Sequence, residues 1–266
     1  MKVIFQNSEV ETAASTLAAF LSERQIDGAR AIVEYAGEVY PPGADLAAVE
    51  LRPGAPIEVF KIMAGGRMQT NPYLTPGERT RLAAATVGIA GAGGLGSNCA
   101  LHLVRSGVGR LVIADFDVVN DSNLNRQFYF RDQIGRKKVE ALRENLLRID
   151  PEADIVALDT KIDVANAKDV FAQCGIVVEA FDRADAKSML LGALAGNGKQ
   201  LVAASGIAGW GRSNAIRLRQ FGGEMVVIGD GEAAVSDEMP PFSPRVGIAA
   251  AMQANTVVAM LLGREL

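Results

Sequence analysis

The residues with the clearest chemical potential lie between positions 91 and 182. Gly91-Ala-Gly93-Gly94-Leu-Gly96 follows the short apolar run Thr86–Ala90 and precedes a helical pattern. Missing Cβ atoms let such a turn bring its backbone close to a phosphate, and the helix start adds amide donors and a positive dipole end. Glycines in a strand–helix turn also serve packing alone. Asp115 ends the next apolar run, 19 residues beyond Gly96, where a carboxylate reaches ribose hydroxyls. This pair implies a nucleotide, and a nicotinamide dehydrogenase is one reading of it. The stretch after Asp115 is polar, with Asn123, Arg126 and Gln127, and Lys138 follows in Gly135-Arg-Lys-Lys138. Two cations after a glycine loop suit a triphosphate better than a dinucleotide pyrophosphate, although each alone also reads as a solvated surface charge. Asp182 closes the run Val177–Asp182 at a strand end, a position from which it could hold Mg²⁺ against phosphates.

The elements that must position these residues alternate as strands and helices from Thr86 onward, the pattern of a mostly parallel sheet with helices on both faces. Strands are expected at 86–91, 110–115, 155–158, 175–180 and 201–205, with a hairpin of 213–219 and 224–228 around Gly222-Gly223. Helices are expected at 95–105, 137–149 and 184–195. The apolar stretch Val246–Leu262 contains Gln253 and Asn255, amides that are costly in lipid, so it reads as a core or subunit-interface helix rather than a membrane span.

The first 66 residues have a different character. A strand is expected at 2–5, turned by the polar residues Gln6 to Glu9 into a second, with further strands at 31–35 and 57–62, a helix at 14–24 and short structure at 47–51, an order β-β-α-β-β that predicts a small α+β, β-grasp domain. Residues 67–80, with two prolines and few apolar side chains, read as a linker or extended arm before a domain at 81–266. Residues 1–66 carry five basic and nine acidic side chains, whereas the remaining 200 carry 22 of each. An acidic module joined to a neutral one argues against nucleic-acid binding.

Two cysteines (Cys99, Cys174) and one histidine (His102) leave little room for other chemistries. A disulfide framework and a zinc site of cysteine and histidine alone are excluded, and histidine-based catalysis would rest on His102. Both cysteines read as core residues, and His102 as a packed side chain. The beginning Met1-Lys2 has no apolar segment of the signal-peptide kind, which predicts a cytoplasmic protein.

Residues 86–262 resemble the ubiquitin-activating-like adenylyltransferases of sulfur-carrier proteins, the ThiF/MoeB/HesA group. The resemblance rests on G-A-G-G-L-G at 91–96, D-F-D at 115–117, S-N-L-N-R-Q at 122–127, G-R-K-K at 135–138 and E-A-F-D at 179–182. It implies a Rossmann-like adenylation domain in which Gly91, Gly93, Gly94, Gly96, Asp115 and Gln127 hold ATP. Asn123, Arg126 and Lys138 would contact phosphates, with Arg126, Lys138 and Asp182 as catalytic residues and Asp182 the Mg²⁺ ligand. Residues 58–66, ending in Gly65-Gly66, resemble the tail of the sulfur carrier ThiS, so the chain resembles a carrier fused to its activating enzyme. Here Gly66 is bonded to Arg67, so either a cut after Gly66 frees the tail or the module has another role, such as docking.

The resemblance implies a carrier tail and a sulfur donor as partners, thiamine thiazole synthesis as the setting, and a homodimer with the C-terminal helix near its interface. Relatives take an arginine from a partner subunit, for which Arg79 and Arg81 are candidates. Zinc-binding relatives carry two C-x-x-C pairs that are missing here, so zinc is not expected. Alternatives are a related enzyme acting on a molybdopterin carrier or on threonylcarbamoyl-adenosine in tRNA, and a non-catalytic nucleotide-binding regulator.

Overall fold

A computed structural model describes residues 1–61 and 74–266. The chain divides into two compact units, Met1–Gly66 and Arg67–Leu266. Gly65 and Gly66 lie outside the described residues.

The first unit is a five-stranded sheet with one helix. Strands β1 (Lys2–Phe5) and β2 (Ser8–Glu11) form a hairpin whose two turn residues, Gln6 and Asn7, both have positive φ. That turn matches the right-handed twist of the strands it joins. Helix α1 (Leu17–Glu23) starts at Thr16, whose hydroxyl accepts from the Ala19 amide. It buries Leu17, Phe20 and Leu21 among Val3, Val33 and Ile57. Strands β3 (Ala31–Tyr35), β4 (Glu38–Tyr40) and β5 (Pro56–Lys61) complete the order β2-β1-β5-β3-β4, with β1 and β5 parallel at the centre. One strand more is present than the expected β-β-α-β-β order contains. Ala36-Gly37, both at positive φ, turn the chain back in two residues and pair β4 with β3.

The second unit begins, within the described residues, with helix α2 (Pro76–Ala83). This corrects the expectation of an arm through residue 80. Thr75 and Glu78 form a reciprocal capping box, and Pro76 occupies the first turn, where its missing N–H costs nothing. A seven-stranded sheet follows, made of β6 (Thr86–Ala90), β7 (Arg110–Asp115), β8 (Asp154–Asp159), β9 (Ile176–Glu179), β10 (Gln200–Ala204), β11 (Arg217–Phe221) and β12 (Met225–Gly229). Its order is β11-β12-β10-β9-β6-β7-β8, and only β11 runs antiparallel. The chain moves outward from β6 through β7 to β8, then returns to the other side of β6 at β9. Ligands of open α/β sheets bind at such a reversal, outside the carboxyl ends of the strands.

Helices α3 (Gly94–Arg105), α4 (Lys138–Leu147), α5 (Ala167–Val170), α6 (Ala184–Leu194) and α7 (Ser243–Leu262) flank the sheet. Ser213–Ala215, expected to begin a strand, form a 3₁₀ turn after the left-handed Arg212, and β11 starts only at Arg217. Helix α7 is long and apolar enough to cross a membrane. Its Val246, Ala249, Ala250, Ala254 and Val257 nevertheless lie in the same buried cluster as Leu95, Cys99 and Leu103 of α3. Alanines keep the facing surface low, which allows close helix packing.

Candidate functional site

The glycine loop leaves β6 at the sheet reversal and enters α3. Gly91 has φ +101, and a Cβ there would sit 2.9 Å from the Ala180 carbonyl oxygen, so the loop lies directly against the exit of β9. At Gly96 a Cβ would stand 1.8 Å from the Gly91 carbonyl oxygen, which makes glycine obligatory for the approach of α3 to the loop. The N-cap of α3 is Gly93, and no side chain caps this helix end. Its leading amides therefore remain available to an anion.

Side chains from three elements hold the loop open. Asp115, at the end of β7, accepts from the Ala92 amide at 2.6 Å and the Asp117 amide at 2.8 Å. The buried Tyr129 hydroxyl donates to the Ala92 carbonyl at 2.7 Å. Burial pushes that hydroxyl's pKa up, with Asp115 and Asp117 adding to the shift, so it stays a donor. Ser97 Oγ donates to the Gly93 carbonyl at 2.7 Å and accepts from the Phe128 amide at 3.0 Å. Asn98 Nδ2 donates to the carbonyls of Gly94 and Arg126 at 2.7 and 2.9 Å, tying α3 to the 120–127 segment.

The expected cations converge on this loop but have protein partners. Arg126 carries its stem along Gly94, whose Cβ would lie 3.5 Å from Arg126 Cγ. Its Nη1 donates to Asn125 Oδ1 at 2.8 Å and Ser122 O at 3.2 Å. Lys138 starts α4 with its side chain only 7% exposed, and Nζ lies 2.8 Å from Asp117 Oδ2. Asn123 is buried and accepts from the Asn120 amide at 3.0 Å, so its oxygen shapes the loop rather than projecting from it. Gln127 is 9% exposed, lies beside Gly93, and its Oε1 is buried without a hydrogen-bond partner among the described residues.

Asp182 sits in the turn between β9 and α6 and is exposed, with the Arg183 guanidinium as its electrostatic neighbour. Among the described residues no group of three or more His, Cys, Asp or Glu side chains could hold a metal alone. A cation at Asp182 would take its other ligands from phosphates and water, which suits Mg²⁺.

Arg79 donates to the Leu74 carbonyl at 2.6 Å, and Arg81 to the Leu262 carbonyl at 3.1 Å, so both cross-subunit candidates have partners within the chain. His102 is half-buried on α3, and burial lowers its pKa. Cys99 and Cys174 are buried. Burial pushes both thiols up, Cys174 to about 11 despite the opposing charges of Lys199 and Arg110.

Asp117, Tyr129, Ser97 and Asn98 are the site residues that sequence reasoning missed. Only Asp117 left a signal, as the second carboxylate of the D-F-D string. The others act through contacts between elements distant in sequence.

The chemical arrangement is an anion cradle with two cations and one exposed carboxylate, without a reactive thiol or histidine. Comparison with known proteins agrees with that reading. Over 193 residues the chain is 28% identical to the sulfur carrier protein ThiS adenylyltransferase of Escherichia coli, covering 66% of this chain and 72% of that protein. It is 36% identical over 112 residues to the probable adenylyltransferase/sulfurtransferase MoeZ of Mycobacterium tuberculosis, covering 42% of this chain and 29% of MoeZ. It is 38% identical over 94 residues to ubiquitin-like modifier-activating enzyme 5 of Caenorhabditis elegans, covering 35% of this chain and 22% of that enzyme. The aligned region thus spans less than a third of the latter two relatives.

The fold is shared with E. coli tRNA N6-threonylcarbamoyladenosine dehydratase in complex with AMP, at a TM-score of 0.68 and 20% identity, covering 74% of this chain and 94% of that one. E. coli MccB has a TM-score of 0.56 at 21% identity, covering 70% of this chain and 59% of that one. The ThiF family model matches residues 68–266. The chain belongs to the ThiF family.

Proposed function

We propose that this chain is an ATP-dependent adenylyltransferase that activates the C-terminal Gly-Gly carboxylate of a ThiS-type sulfur carrier for thiocarboxylate formation in thiazole synthesis. The observation that carries the reading is the convergence, at one sheet reversal, of an uncapped helix N-terminus, Arg126, Lys138 and Asp182. The roles expected for Gly91, Gly93, Gly94, Gly96, Asp115, Asn123 and Gln127 in holding the nucleotide belong to the same proposal.

One carboxylate oxygen of the carrier attacks the α-phosphorus of ATP. A bond forms between that oxygen and phosphorus, the bond to the β-phosphate oxygen breaks, and pyrophosphate leaves. The attacking carboxylate is already ionised near neutral pH, so no general base is needed, in keeping with a site that uses no histidine. The work is positioning two anions and offsetting charge on the phosphates. Lys138 and Arg126 perform it by exchanging Asp117 and Asn125 for phosphate oxygens. Mg²⁺, when bound, neutralises phosphate charge, and Asp182 is the residue that would hold it.

The carrier half of the proposal is supported by the similarity to the E. coli ThiS adenylyltransferase and by residues 1–66. Their sheet order β2-β1-β5-β3-β4, with one helix packed on it and Gly65-Gly66 following in the sequence, supports the β-grasp reading. The partner carboxylate is then either this module's own tail, freed by a cut after Gly66, or that of a separate carrier. A separate sulfur donor, a homodimeric state and a cytoplasmic location complete the proposal. A second reading is a related adenylating enzyme acting on another substrate, a molybdopterin carrier or threonylcarbamoyl-adenosine in tRNA. The equal counts of acidic and basic residues after position 66 weigh against tRNA as that substrate.

Incubating the full chain with ATP and a ThiS-type carrier ending in Gly-Gly, followed by intact-mass measurement, tests the assignment. The expected product is a carrier heavier by one adenylyl group, or its hydroxamate when hydroxylamine is present. An unmodified carrier beside a folded, ATP-binding chain would contradict the carrier as substrate.

A further inference from the structure

Asp182 stands on a turn whose ends are joined by an ion pair with a buried carboxylate and a partly buried lysine. Glu179, the last residue of β9, has a side chain 1% exposed, and both its carboxylate oxygens accept from Lys187 Nζ at 3.0 Å. Oε1 also accepts from the Phe181 amide at 2.7 Å. Lys187, in the first turn of α6, donates its remaining hydrogen to the carbonyl of Ala204 at 3.1 Å, at the end of β10. All three ammonium hydrogens are thereby used. On the other side, Gln253 Nε2 of α7 donates to the Glu179 carbonyl at 3.0 Å. One ammonium group thus links the carboxyl ends of β9 and β10 to the start of α6, and Asp182 lies on the segment enclosed between them.

Stability alone gives weak reason for such a pair. Burying two charges costs desolvation, and well-packed apolar residues of similar volume often serve as well or better. An apolar pair would not bind the Phe181 amide and the Ala204 carbonyl together. Those bonds fix the path of the 180–183 turn, which runs beside Gly91.

We propose that Glu179 and Lys187 are positioning residues for Asp182, setting the affinity of the site for a divalent cation bound with nucleotide. This rests on the nucleotide reading above. The probe is Mn²⁺ with a non-hydrolysable ATP analogue, with free Mn²⁺ read by electron paramagnetic resonance on the full chain. The Glu179→Gln/Lys187→Gln double variant is expected to bind Mn²⁺ about tenfold more weakly in the presence of the analogue, the scale on which groups orienting a metal ligand act. Its affinity for the analogue without metal should be unchanged.

Lys187→Arg should recover most of the loss. In an Asp182→Asn background, Lys187→Gln should have no further effect on Mn²⁺ affinity, because it acts through Asp182. Wild-type Mn²⁺ affinity in a folded double variant overturns the proposal. If that variant does not fold, Glu179→Asp carries the test, since it keeps the charge pair but withdraws the carboxylate by one methylene. Weakening of at least about threefold is expected there, and unchanged affinity overturns the proposal. A wild-type chain that binds neither the analogue nor Mn²⁺ with it would overturn the nucleotide reading itself. Wild-type binding that no variant alters overturns only the positioning role.

Discussion

Lys138 is buried and paired with an aspartate that is itself half exposed, an arrangement in which a ligand can replace the partner without stranding a charge. Lys138→Met should therefore lower kcat/KM for ATP by about 100-fold, the scale of losing one preorganised donor to developing charge. Its thermal midpoint should move little, because Asp117 can turn to water. Steady-state kinetics together with a melting curve check both halves, and unchanged kinetics would remove Lys138 from the site. Gly96→Ala acts oppositely: a Cβ 1.8 Å from the Gly91 carbonyl oxygen cannot be accommodated by a side-chain rotation. A destabilisation of about 3 kcal/mol, the upper end of over-packing costs, is expected in chemical denaturation. The glycine loop, Asp115 and Asp182 were legible in the sequence because each lies at or just after the end of an apolar strand, β6, β7 or β9, whereas Arg126 and Lys138, 11 and 23 residues beyond Asp115, stood out only by their charge and the family motifs. Tyr129 was not, since its bond to Ala92 spans 37 residues and no local pattern encodes it.

Among elements, α2 shows how composition misleads. Pro76 and Gly77 suggested an arm, whereas Thr75-Pro76-Gly77-Glu78 encodes a helix start through the capping box. Strand β4 was missed for a related reason: its turn is Ala36-Gly37, which lacks the Asn-Gly or Asp-Gly signature. Glu78 also provides a pH prediction. The amide and hydroxyl of Thr75, with help from Arg264, hold its carboxyl at about 2, below its ordinary 4.5. A depressed folded-state pKa stabilises fully above the unfolded value, and the contribution is lost as pH falls through 4.5 toward 2. The acid-induced drop in thermal midpoint over that window should be smaller in Glu78→Gln than in wild type. Equal slopes would contradict the role of the cap. Tyr129→Phe should cost about 1 kcal/mol by loss of one hydrogen bond behind the glycine loop, measurable by urea titration.

Across the whole molecule, the doubly wound topology was legible from alternating apolar runs, and the division near residue 66 from a change in charge and pattern. The two cysteines bear on the chemistry at this scale. Both are buried with raised thiol pKa values, so the adenylylated carboxylate should be consumed by a sulfur nucleophile from another molecule rather than by an acyl-cysteine on this chain. Iodoacetamide should leave adenylylation intact, and a thiol reagent should detect both cysteines only after denaturation. Carboxylate activation at the sheet reversal is tested by ATP–pyrophosphate exchange with a carrier ending in Gly-Gly. Carrier-dependent exchange is expected for the wild-type chain, and its loss in a folded Asp182→Ala variant. No exchange by a folded wild-type chain, or wild-type exchange in Asp182→Ala, would contradict it.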